Sequence, residues 1–145
     1  MKKIIIVLIL AIAGVAGVQA QNEVEQAFIK GFISGMDQEL VSLNEDGMRY
    51  NGTFLEGKNI ICSVTVDETQ FGGMPMKQAF QMVGVDEVSF GQMMREEMFS
   101  QKLDAEERSG LQMLKGYGYK IYFRMIGSVS GETMNCRIEY EALLQ

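Results

Sequence analysis

Twice along the chain the apolar residues leave helical spacing for strict alternation, and this double switch limits the folds open to it. In the first block Met48, Tyr50, Gly52 and Phe54 alternate with Arg49, Asn51 and Thr53. EGKN at 56–59 turns the chain, and Ile60, Cys62, Val64 and Val66 then alternate with Ile61, Ser63, Thr65 and Asp67. In the second block Tyr119, Ile121, Phe123 and Met125 alternate with Lys120, Tyr122, Arg124 and Ile126. After SVSGE, Met134, Cys136, Ile138 and Tyr140 alternate with Asn135, Arg137, Glu139 and Glu141. Successive residues of a strand point to opposite faces, so each block predicts a β-hairpin with one apolar and one mostly polar face. The second strands of the two blocks, IICSVTVDE and MNCRIEYEA, are near-twins at a constant offset of 74 residues, and each carries one of the chain's two cysteines.

Helical spacing fills the rest. Val24, Ala27, Phe28, Phe32 and Met36 form one stripe over residues 22–40, with Glu23 and Glu25 where the helix dipole favours acids. NEDG at 44–47 is a turn signal. Pro75 suits the first position of a short helix carrying Met76, Ala79, Phe80 and Val83. Phe90, Met93, Met94 and Met98 stripe a second from Ser89 to Gln101. Asp104 with Glu107 opens a third, through Leu111 and Leu114, which Gly116 is placed to stop. The order helix, hairpin, helices, hairpin predicts an α+β fold: a four-stranded antiparallel sheet from two β-hairpins, helices packed on one face, with an αββ internal repeat about a pseudo-twofold axis.

Residues 1–20 read as a cleaved signal peptide. Lys2 and Lys3 precede an uncharged run from Ile4 to Val18, and Val18 and Ala20 fit the small-residue pattern before a cut at Gln21. The run falls short of the ~20 residues that span a bilayer, so no membrane span is expected after cleavage. Residues 21–145 then form a single domain, exported to the periplasm or the medium. Cleavage would take two of the 13 basic residues and none of the 19 acids, moving the net charge from −6 to −8. That balance opposes nucleic acid or an anionic membrane as partner, since both need a positive surface.

Candidate chemistry is sparse. The chain has no His, hence no Ser-His or Cys-His pair. Cys62 and Cys136 are candidates for a disulfide in an oxidising compartment if a pseudo-twofold axis brings them face to face; the alternative is two buried thiols acting as small hydrophobes. Met93, Met94 and Met98 could line a pocket for a small ligand or soft Cu(I), or continue the core stripe. The adjacent acids Asp67–Glu68, Glu96–Glu97 and Glu106–Glu107 point in different directions and read as solvated faces. Ile61, Tyr122 and Ile126 interrupt the otherwise polar sheet face and are the candidate interaction face. The expectation is an exported, non-enzymatic binding domain for a protein or envelope component, without cofactor; the alternative is a small-ligand or Cu(I) carrier.

With its cleavable signal and one α+β domain, the chain resembles the small exported domains of unknown function common in Gram-negative bacteria. Its αββ pattern also resembles the beta-lactamase-inhibitor-protein-like fold. Neither resemblance implies an active site.

Overall fold

The computed structural model describes residues 18–41, 44, 47–98 and 105–140. Helix α1 (Val18–Leu40) is followed by strands β1 (Met48–Glu56) and β2 (Asn59–Val66) and a 3-10 turn (Glu68–Phe71). Helices α2 (Met76–Met82), α3 (Glu87–Met98) and α4 (Ala105–Gly116) come next, then strands β3 (Lys120–Gly127) and β4 (Thr133–Ile138). Most of the predicted signal, residues 1–17, lies outside the described residues. Helix α1 runs through the expected cut at Gln21.

The α+β class and the single four-stranded sheet are as expected, but the sheet is mixed. Its order is β1-β2-β3-β4, with both hairpins antiparallel and the central pair β2·β3 parallel. A parallel pair needs a long crossover, and α2, α3 and α4 supply it. The strands therefore run up, down, down, up. Shifting the first hairpin by two strands, or turning it about an axis normal to the sheet, reverses strand direction against the second. Neither operation therefore relates the two hairpins.

One face of the sheet holds the core. Rows of side chains cross the strands in register: Ile60, Ile121 and Ile138; Cys62, Phe123 and Cys136; Val64, Met125 and Met134. Phe28, Ile29, Phe32, Met36 and Leu40 of α1 join this core, as do Leu111 and Leu114 of α4. Helix α1 packs on β1 and α3 on β4. A train of ring contacts from Phe71 through Phe80 and Phe90 to Phe123 ties the crossover to the sheet, with centroids 5.6–6.2 Å apart. Each such pair adds roughly 0.5–1.5 kcal/mol beyond area burial.

Strand β1 departs from its predicted alternation. Tyr50 pairs with Val64 but Gly52 with Ser63, so Asn51 is an extra residue. A β-bulge of this kind shifts every later side chain to the other face. Gly52 takes φ 125° there, Thr53 turns inward at 8% exposure and Phe54 outward at 40%.

Candidate interaction site

The disulfide expectation fails on register. Cys62 and Cys136 both pair with Phe123, from opposite sides of β3. Two inter-strand steps of about 4.8 Å separate them by roughly 10 Å, beyond the ~7 Å limit for a bridge. Both are free, buried thiols. Burial pushes each up to about 12, and each also faces a carboxylate, Asp37 for Cys62 and Glu87 for Cys136.

The outer sheet face is less open than the sequence suggests. Ile61 is only 2% exposed. Arg124, opposite Ser63, reaches across β2 to Glu56, opposite Asn59, so the pair spans the Ile61 position. Two N–H groups of Arg124 donate to Glu56 at 2.7 and 3.0 Å, and its guanidinium lies 6.0 Å from the Phe54 ring centroid. This pairing lowers the Glu56 carboxyl and raises Arg124. Ser63 is covered beside it, with Asn51 donating to Ser63 Oγ at 3.4 Å and Thr65 Oγ1 at 2.9 Å. Tyr122 and Ile126 are half-buried and stand opposite Arg137 and Thr133 of β4.

Of the expected methionine lining, only the Met93 side chain falls among the described residues, and it is exposed; those of Met94 and Met98 lie outside them. The cleft beside α3 holds about 330 Å³ and is lined by Glu87, Val88, Gly91 and Gln92 of that helix and by Asn135, Cys136, Arg137 and Glu139. Among the described residues no group of three or more His, Cys, Asp or Glu side chains is placed to hold a metal ion, and no helix is long and apolar enough to cross a membrane.

Glu68 departs from the solvated face that the Asp67–Glu68 pair predicts: it is fully buried. Its carboxylate accepts from the backbone N–H of Met76 at 2.7 Å, Val129 at 2.8 Å and Ser130 at 2.6 Å, and from the Ser130 hydroxyl at 2.7 Å. These bonds hold its pKa down at about 2, against an ordinary 4.5. One carboxylate thereby fastens the end of β2 to the start of α2 and to the β3–β4 turn. A Cβ at Gly127 would lie 2.5 Å from Glu68 Oε2, so the glycine makes room for the carboxylate. Nothing in the spacing of DETQF signals this.

The two sheet edges are unequal. On β1 the outward N–H of Thr53 donates to Asp37 Oδ1 at 2.9 Å and that of Tyr50 to Asn44 Oδ1 at 2.7 Å. The Tyr50 hydroxyl donates to the same Asp37 oxygen at 2.5 Å and contacts Thr53 Oγ1. Burial and the Asp37 bond raise the Tyr50 pKa. On β4 the register shows which groups face out. Lys120 N–H donates to Lys58 O and Ser128 N–H to Val66 O, so the even residues of β3 bond β2. The odd ones bond β4, as Gly127 N–H does to Glu132 O. Their partners are Met134, Cys136 and Ile138. Thr133, Asn135 and Arg137 therefore direct their N–H and C=O groups away from the sheet, and among the described residues no side chain caps those N–H groups.

The β4 edge adjoins the α3 cleft. Gly91 comes so close that an added Cβ would sit 3.3 Å from the Arg137 carbonyl oxygen. Asp86 Oδ1 accepts from Ser89 N–H at 2.7 Å, which opens the helix at Glu87. The result is a groove with strand backbone on one wall and a helix flank on the other. A comparison with family models, with curated proteins and with solved structures found no match for this chain.

Proposed function

We propose that this chain is an exported, non-enzymatic binding domain of the bacterial envelope, periplasmic or secreted, that holds a protein partner along the β4 edge. The observation carrying this reading is the contrast between the edges. Uncapped backbone donors and acceptors on an edge strand are a ready template for another strand, and on β4 they run beside a cleft that can receive side chains. Tyr122 and Ile126, on β3 opposite Arg137 and Thr133, lie one strand in from this edge on the outer face. Export rests on the basic start and apolar run of residues 2–20.

The test places a photo-crosslinking residue at Thr133 in the producing cell, with the same probe at Asn51 on β1 as control. A discrete adduct is expected from position 133, none from 51, and loss of the adduct when Asn135→Pro is added. Proline removes an outward N–H, together with the Asn135 Oδ1 that accepts from Arg124 Nε, without breaking the β3·β4 ladder. Equal labelling from both edges, or an adduct insensitive to Asn135→Pro, would refute the reading.

A further inference from the structure

The chemistry of the groove names the kind of segment it fits. We infer that the β4 edge takes an extended peptide carrying a Lys or Arg that pairs with Glu87, with an apolar residue two positions away against Val88. The inference rests on the strand-addition reading above and goes beyond it to the partner's sequence.

Three observations carry it. The first is charge. The groove has two acids, Glu87 and Glu139, and one base, Arg137. Arg137 Nε lies 3.3 Å from Glu139 Oε1, which ties up that pair. Glu87 lines the groove beside Cys136 and has no cationic partner among the described residues. The second is the wall. Val88 is 71% exposed although it lines the cleft, an apolar surface left unfilled on the helix flank. The third is strand geometry. Side chains of an added strand alternate between the outer face and the helix side. Those reaching Glu87 and Val88 must share one face, hence the spacing of two. Backbone pairing with Thr133 and Asn135 supplies affinity without regard to sequence, and the helix side supplies the choice.

A library of random short peptides is panned on the purified protein, with Glu87→Gln, Glu87→Lys and Asn135→Pro in parallel. Glu87 is exposed, so its variants leave the core intact. The expected result is enrichment of Lys or Arg at one position with an apolar residue two away. Glu87→Gln should weaken the selected peptide about tenfold, Glu87→Lys should shift the preference to Asp or Glu, and Asn135→Pro should abolish binding. Peptides that lose binding with Asn135→Pro but show no basic preference would overturn the Glu87 inference and leave the edge reading standing. No enrichment at all, with unchanged hydrogen exchange at Asn135, would overturn both. A dimer in solution that Asn135→Pro returns to monomer would identify a second copy of this chain as the occupant and overturn the inference.

Discussion

The two edge strands of the sheet face the same hazard and treat it differently. Strand β1 is bulged at Asn51, and its outward N–H groups at Tyr50 and Thr53 are taken by Asn44 and Asp37. Strand β4 is regular, and its outward groups at Thr133, Asn135 and Arg137 carry no side-chain cap among the described residues. Bulges and local caps are how a fold blunts an edge. Among the described residues one edge is capped and the other is not, and the proposed strand addition rests on that difference.

Proline at matched positions gives the largest expected difference. Thr53→Pro removes an N–H bonded to Asp37 in a part-buried network and should cost about 3 kcal/mol. Asn135→Pro removes an N–H that faces solvent and the exposed Asn135 Oδ1 that accepts from Arg124 Nε at 2.8 Å, and should cost about 1 kcal/mol. Urea midpoints of the two variants measure the gap; equal losses would mean that β4 is also bonded at its edge. Asp37→Ala comes next. It strips the partner from both Thr53 N–H and the Tyr50 hydroxyl, an expected loss of about 2 kcal/mol. In that variant the Thr53 amide should exchange as fast as Asn135, making the edges alike. Retained protection at Thr53 would show that something other than Asp37 guards β1.

This contrast was not legible in the sequence, and the reason is physical. Alternation reports which face a side chain takes, and it placed β2, β3 and β4 and their core residues correctly. It says nothing about which strands end up at the edge or how hairpins join. The parallel β2·β3 pairing left one trace: Ile60 and Ile61 are adjacent apolar residues on a strand buried on both faces, as central parallel strands are. Phe54 and Thr53 exchanged faces because a bulge adds a residue without changing composition. Asp37, Asn44 and Glu68 act only through tertiary contacts, so their roles carried no local signal. The cysteine twins reflected two strands with equivalent inward rows, and Phe123 between them makes those rows neighbours but not partners.

Acid should loosen the β3–β4 turn before it opens the central β2·β3 ladder. The Glu68 carboxylate holds Val129 and Ser130, just before β4 begins. Its folded pKa of about 2 lies below the ordinary 4.5. A depressed carboxylate stabilises the fold fully above its unfolded value and loses that contribution as pH falls through the folded one. The contribution is therefore complete above about pH 4.5 and declines toward pH 2. Hydrogen exchange, compared with matched unstructured peptides at each pH, should show protection of Val129 and Ser130 falling across that window while Lys120, bonded to the Lys58 carbonyl in the central ladder, stays protected. Simultaneous loss in the central ladder would indicate global unfolding.

The thiols give the smallest effect and the finest test of how far the open edge extends. Cys136 lies on β4 itself and lines the cleft, yet its side chain turns inward beneath the strand. Cys62 lies two strands away in the guarded half. Both have pKa values near 12, and only thiolates react. Neither should react with an aromatic disulfide reagent at neutral pH unless its strand opens. Openness at β4 as drawn here concerns backbone groups that point sideways out of the sheet, not the core face below. Two silent thiols in the native protein, and two reactive ones in denaturant, fit that picture. Selective labelling of Cys136 under native conditions would mean that β4 lifts away from α3, and the groove would then be a moving part rather than a fixed wall.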